Sequence, residues 1–536
     1  MKNKTLILIV AVLAGIAAGG YFIRGFSEKP FVTGSKGLQE ARATKVVELR
    51  DGDTYDLTAS IVRKAIAGNE LKMLAYNGSI PGPVLKILKG AEITINFTND
   101  TDVPTTIHSH GVRLDNAFDG VPGVTQKEVG IGESSSYKIR FPDAGIYWYH
   151  PHLREDYAQE SGLSGNYIVV SDNPNYWSPV NEEVPLMVDD ILIENGKIAP
   201  FGPVADHTLM GRFGNVMLAN GADDYSLSVM QGEVIRFYIT NAANTRVFNL
   251  AIPGAKMKLV GGDSGKYERE SFADSVLLGP SERAIIEVLF DAAGTYTLQH
   301  TTPQMTYTMG TIRVSSEKAA PSYKSQFLTL RTNSDTIASI DPFRQYFDKK
   351  NDKSIALTVD MGGMGMSGSH QMPGGQMMSN GGMMMGGNDN EKIEWEDSMA
   401  MMNAMTDANT IKWKIVDQET GKAMGRASAD GAQHDSEKSG VDWQFKVGDT
   451  VKVRIYNDPN SAHPMQHPIH FHGQRFLILS TNGVRNTNMV WKDTTLVQKG
   501  DTVEILIAME NPGIWMAHCH IAEHLESGMM FNFRVD

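Results

Sequence analysis

Four His-X-His pairs punctuate this sequence: His108/His110, His150/His152, His470/His472 and His518/His520. Imidazole is a ligand for copper, iron and zinc among the transition metals. On a β-strand residues two apart share a face, so each pair can present two rings to one site. One such pair means little. Four pairs, using eight of the 15 histidines, point to metal binding by all of them. The last pair brackets the single cysteine, in HCHIAEH. On a strand Cys519 faces opposite to His518 and His520, so its sulfur can serve one metal while its neighbours serve another. His524 and Met529 follow, and His467 precedes His470 by three residues in HPIHFHG. Two histidines, a thiolate and a long axial methionine make a blue-copper electron-transfer site; His467, Cys519, His524 and Met529 supply that set. The short covalent path from Cys519 to its flanking histidines would carry the electrons. With one cysteine no intramolecular disulfide can form.

HSHG at 108–111, YWYHPH at 147–152, HPIHFHG at 467–473 and GIWMAHCHIAEHLESGM at 513–529 resemble, in order, the four copper motifs of the multicopper oxidases. YNGSIPGP at 76–83 resembles the opening of their first domain. The resemblance covers about residues 40–536 and is to the bacterial three-domain laccase-like enzymes and copper-efflux oxidases. It implies an all-β chain of three cupredoxin-like Greek-key β-sandwich domains. It also implies four copper ions: one type 1, one type 2 and two type 3, the last three forming a trinuclear cluster that reduces O2 to water. Carried over by motif, His108 and His470 would hold the type 2 copper. His110, His150, His152, His472, His518 and His520 would hold the type 3 pair.

Two departures stand out. Copper-efflux members usually carry an acid directly after the last type 1 histidine, where it passes protons to the cluster; here that position is Leu525. Asp119, nine residues after His110 in LDNAFDGVPG, matches the family's other acid and is expected to deliver protons. Glu523 and Glu526 are either substitutes or surface charges. The second departure is the lack of a twin-arginine pair at the amino terminus.

The elements that must position these residues are short. Runs such as 91–97 (AEITINF), 136–141 (SYKIRF) and 166–170 (NYIVV) recur between glycine, proline, asparagine and aspartate, the rhythm of antiparallel sandwiches. Breaks at 171–179 (SDNPNYWSP) and 315–325 (SSEKAAPSYKS) divide the chain into domains at 40–172, 173–318 and 319–536. The third domain carries an insertion at 361–405 with 13 of the 29 methionines. Its first part, 361–388, holds nine methionines, ten glycines and no Asp, Glu, Lys or Arg, too much glycine for a packed element. Met399, Met401, Met402 and Met405 fall at helical spacings and predict a short methionine-faced helix. Thioether is a soft ligand that selects Cu(I), so the insertion is expected to capture an extra, labile Cu(I). His207, His300, His370, His434 and His463 belong to no motif; His463 could line the substrate approach, and His370 could join the methionines.

A net charge of −13 argues against a nucleic-acid platform, which needs basic patches. Lys2 and Lys4 precede an uncharged run at 5–23, closed by Arg24. That is the form of an export signal, long enough to be a retained membrane anchor. Residues 1–28 are therefore expected to be a signal peptide or anchor helix, taking the chain to the periplasm or another extracytoplasmic compartment, by a Sec-type route. The reading favours an oxidase taking single electrons from Cu(I) or phenolic and aromatic donors and passing them to O2, with a role in copper tolerance. Rivals are a general laccase whose methionine loop only modulates access, and a protein that sequesters copper without turnover. A copper-free sandwich relative is nearly excluded because all twelve ligands are present. A copper nitrite reductase lacks the HCH arrangement.

Overall fold

The computed structural model describes residues 34–361, 391–425 and 440–536, with the backbone of 370–371 and 377–378. The amino-terminal helix expected at 1–28, most of the methionine- and glycine-rich tract, and His434 lie outside these residues. Among the described residues no helix is long and apolar enough to cross a membrane.

Strands form where apolar side chains alternate with polar ones. In Glu92–Asp100, Ile93, Ile95 and Phe97 are buried while their neighbours are more exposed, the period of a half-buried sheet. Three pairs of sheets follow one another. The first has four and five strands between residues 46 and 170, and its core joins Leu57, Ile93 and Phe97 of one sheet to Leu85, Tyr149 and Tyr167 of the other. The second has six and five strands between 182 and 318, packed through Phe237, Ile286, Phe248 and Ile312. The third has seven and five strands between 353 and 535, packed through Ile355, Trp413, Ile505, Trp515 and Phe531. Strand order in each sheet is not sequential, as crossing Greek-key connections require.

Two five-stranded sheets set the positions of the histidines. In the first sandwich His108–His110 pairs antiparallel with Gly145–His150, so His108 lies opposite His150. In the third, His467–Phe471 pairs antiparallel with Gly513–Cys519, so His470 lies opposite His518 and Ile469 opposite Cys519. The edges of the two sandwiches are clamped together nearby. Asn116 Nδ2 donates to the Ile514 carbonyl at 2.7 Å, and Asn511 Nδ2 to the Leu114 carbonyl at 2.7 Å.

Two local expectations need correction. The strand Thr306–Lys318 runs through 315–318, where the sequence predicts the start of a break. Its exposed end is held by parallel pairing with Tyr225–Gln231 rather than by burial. The connection to the third sandwich is made instead by the short helices Lys324–Leu328 and Ser334–Ile340 and a 3-10 turn at Asp341–Tyr346. The methionine-faced helix is a 3-10 helix, Ala400–Ala404. Met402 is buried in the third core while Met401 and Met405 are exposed; Met405 caps the helix rather than extending its face.

Candidate metal centre

The eight paired histidines converge on one buried volume between the first and third sandwiches. In three of the four pairs the two members serve different groups; only His108 and His110 also meet in one. His150 and His520 meet His110, whereas His152 and His518 meet His472; His108, His110 and His470 form a third group. In each group the candidate ligand nitrogens lie within 4.8 Å of one another. The division arises because His152, His472 and His520 fall just past the ends of their strands, where the two-residue alternation no longer holds.

Hydrogen bonds fix which nitrogen is free in six of the eight rings, and neither nitrogen of His520 has a partner. His108 Nδ1 donates to the Asp119 carbonyl (2.7 Å), His150 Nδ1 to the Pro151 carbonyl (2.8 Å), His470 Nδ1 to the Asp493 carbonyl (2.9 Å) and His518 Nδ1 to the Cys519 carbonyl (2.9 Å). A carbonyl only accepts, so the opposite nitrogen carries the lone pair. His472 Nδ1 donates to Asp119 Oδ2 (3.0 Å), and His110 is reversed, its Nε2 meeting Asp493 Oδ1 (3.0 Å). The nitrogens left over include His108 Nε2, His110 Nδ1, His150 Nε2, His152 Nε2, His470 Nε2 and His520 Nε2, all buried without a hydrogen-bond partner. His472 Nε2 and His518 Nε2 face each other at 3.0 Å. Orphaned, buried lone pairs in this number are unfavourable unless a cation takes them up, and outer carbonyl or carboxylate partners of this kind are what orient metal-bound imidazole. The residues present fit a cluster of imidazole-liganded metals.

Electrostatics agree. Burial, followed by repulsion from neighbouring rings, holds His110, His150, His152, His470 and His518 well below the ordinary imidazole range. His472 is pushed down to about 4 and His520 to about 3, burial again leading. The rings therefore stay neutral and able to ligate. For Asp119, burial opposes ionisation, but the His472 and His108 rings outweigh it and hold the carboxyl far below the usual range.

Cys519 sits on the other side of its strand, in a separate centre. Its Sγ lies 3.6 Å from His467 Nδ1 and 3.7 Å from His524 Nδ1, and the two ring nitrogens are 3.3 Å apart. Met529 is buried beside it, its carbonyl accepting from the Cys519 amide at 3.0 Å. Burial pushes the thiol up and the Ile521 amide opposes this only partly, so a metal must displace the proton for the sulfur to ligate. Thiolate with two imidazoles is a donor set that suits copper. Trp413 covers the centre, stacked on His524 at 4.1 Å and edge-on to His467 at 4.8 Å. His524 Nε2 donates to the Leu209 carbonyl at 3.2 Å, from the helix Ala205–Met210.

Stretches 59–174, 176–318 and 396–536 each match a family model described as multicopper oxidase. The chain belongs to the multicopper oxidase family. A multicopper oxidase of Staphylococcus aureus is 25% identical over 514 residues, covering 94% of this chain and 93% of its own. Copper resistance protein A of Escherichia coli is 24% identical, covering 94% and 97%. The solved McoA multicopper oxidase of Aquifex aeolicus shares the fold at a TM-score of 0.68 and 23% identity, over 93% of this chain and 99% of that one. As a multicopper oxidase the protein is an oxidoreductase that binds copper.

Against this family frame, Leu525 is buried with Val121 and Met516 and has no proton to give. Glu526 is exposed, whereas Glu523 is half-buried and raised to about 8 by burial and then by Asp156. Sequence reasoning missed three neighbours of the candidate ligands. Glu155, fully buried, places Oε1 3.5 Å from His152 Nδ1 and is raised well above the carboxylate range by burial, then by Glu526 and Asp156. Its spacing of three from His152 was the one available signal. Asp493 and Trp413 carried none. Of the histidines outside the motifs, His463 lies near Trp413, ring centres 6.4 Å apart, and is pushed down to about 4 chiefly by burial. His300 packs between Phe248 and Tyr307 in the second sandwich, and His207 lies on Ala205–Met210.

Proposed function

We propose that this oxidase takes one electron at a time from Cu(I), and more slowly from phenolic or aromatic donors, at a type 1 copper held by His467, Cys519, His524 and Met529. A trinuclear copper cluster, when bound, would supply the four-electron reduction of O2 to water. His108 and His470 would hold the type 2 copper; His110, His150 and His520 would hold one type 3 ion, and His152, His472 and His518 the other. Bound copper supplies the one-electron redox steps and the site of O2 reduction. The observation that carries this reading is that Cys519 belongs to one centre while its two covalent neighbours belong to the other, leaving a path of a few bonds between them.

The chain's own residues do the rest. The backbone carbonyls behind His108, His150, His470 and His518 keep the ligating nitrogens aimed inward. Asp119, held ionised between His108 and His472, passes protons as an acceptor rather than storing one. Cu(I) is favoured over bulky donors because Trp413 and the Leu209 carbonyl cover the His524 ring, and because thioethers crowd 361–405 and offer a labile Cu(I) site. The name of the E. coli relative fits a part in copper tolerance, with residues 1–28 directing export or anchoring and domains at 40–172, 173–318 and 319–536. The laccase reading is favoured by Laccase-1 of Botryotinia fuckeliana, 25% identical over 86% of this chain.

Side-by-side rates for Cu(I) and a phenol, in the full chain and with 361–388 deleted, separate the two. Deletion is expected to lower kcat/KM for Cu(I) several-fold and leave phenol oxidation equal or faster. Both reactions share the internal electron path, so a parallel loss would mean a structural loop, and unchanged Cu(I) kinetics an inert one.

A further inference from the structure

The second sandwich offers no ligand to either centre, yet one of its side chains reaches the histidine cluster. Arg283 opens the strand Arg283–Leu289 and is fully buried. Its guanidinium grips the Asp493 carboxylate with both prongs: Nη1 donates to Oδ1 at 2.6 Å and Nη2 to Oδ2. Its Nε donates to the Ile146 carbonyl at 3.1 Å. Ile146 belongs to the first sandwich and Asp493 to the third, so one residue ties all three together.

Asp493 touches the cluster twice. Its Oδ1 accepts from His110 Nε2 at 3.0 Å and its carbonyl accepts from His470 Nδ1 at 2.9 Å. His110 and His470 are stacked with ring centres 3.8 Å apart, so a tilt of one displaces the other. Asp263 braces the assembly from the second sandwich. Its Oδ1 accepts the Arg283 amide at 2.9 Å and its Oδ2 meets Lys492 Nζ at 3.3 Å. Space is filled completely here: a Cβ on Gly111, in the HSHG motif, would lie 2.3 Å from Asp493 Oδ2 and 2.7 Å from Arg283 Nη2.

We propose that Arg283 is a positioning residue for the cluster, acting through Asp493 to hold His110 in its reversed orientation with Nδ1 inward. The proposal rests on the reading of the histidine cluster as the O2-reducing copper centre. The planar fork matters because two parallel bonds fix the carboxylate plane while Nε fixes the guanidinium. Lysine offers the same charge as a point, without the planar fork that grips both carboxylate oxygens in parallel. Loss of an outer partner of a metal-bound histidine typically costs ~10–100-fold in metal affinity.

The test uses the full chain carrying Arg283→Lys, with Asp493→Asn as a second variant that keeps the side-chain volume. Copper per chain after graded chelation, the blue absorption, and the melting temperature of the copper-free protein are read alongside O2 reoxidation. Copper affinity at the cluster and the reoxidation rate are each expected to fall ~10–100-fold, with the blue absorption kept. Wild-type copper affinity in both variants overturns the proposal. So does a proportional weakening of both centres that tracks a fall in melting temperature, which would leave Arg283 a tether between sandwiches only. If Arg283→Lys does not fold, Asp493→Asn decides by the same criteria. Wild-type protein that binds copper only at Cys519 and consumes no O2 would fail the underlying reading instead.

Discussion

The histidine cluster and the cysteine centre lie on opposite faces of the same strand, Gly513–Cys519, but are held by different means. The cluster draws its rings from the first and third sandwiches and anchors their outer nitrogens on carbonyls and carboxylates, one of them gripped by Arg283 of the second sandwich. The cysteine centre comes from one stretch, 467–529, and is enclosed by Trp413, Ile469 and Ile521. A centre made across interfaces depends on buried hydrogen bonds whose loss leaves charged or polar groups unpaired. A centre made within one core depends mainly on packing, and tolerates polar change around it less through orientation than through fit.

The largest effect should come from the residue that joins them. Cys519→Ser is expected to abolish the blue absorption and turnover while leaving the fold intact, since no second thiol can replace it. Absorption and circular dichroism of the purified variant check this, and turnover near the wild-type rate would defeat the assignment. Next is Asp119→Asn, which touches only the cluster. O2 reduction is expected to slow ~10²-fold or more, the usual contribution of a positioned acid or base, with reduction of the Cys519 centre unchanged in stopped-flow. Equal slowing of both half-reactions would erase the distinction between the centres.

The smallest effect concerns acid stability of the copper-free chain. His467 and His520 are lowered to about 3 and His472 to about 4, burial leading in each. The unfolded chain therefore binds more protons than the folded one below the ordinary imidazole value of ~6.5. Stability should be full above that pH and fall progressively as pH drops toward 4. The cluster supplies more such rings than the cysteine centre does. Replacing His472 and His520 with glutamine should therefore flatten the decline more than replacing His467. Urea unfolding in steps from pH 7 to 4 measures it; a flat profile in the wild type would contradict the sign.

Much of the site is legible because it is local. The HCH motif requires that adjacent side chains on a strand point to opposite faces, and the structure separates Cys519 from His518 and His520 accordingly. The two-residue alternation predicts that each pair faces one site; it ends with the strands, and His152, His472 and His520, just past those ends, meet groups that their partners do not. The methionine spacings likewise suit an α-helix, but five residues are too few to hold one and wind as a 3-10 helix.

By itself the sequence determined the ligand types, their order and the strand pairs that carry them, because metal-binding chemistry and β alternation are properties of a few consecutive residues. Only the tertiary structure decided which ring meets which, that Asp119 lies between His108 and His472, that Trp413 and Leu209 close over His524, and that Arg283 reaches Asp493 from 210 residues away. These contacts join residues with no spacing signal, and they exist because three sandwiches bury their polar edges against one another, where every donor must find an acceptor across the interface.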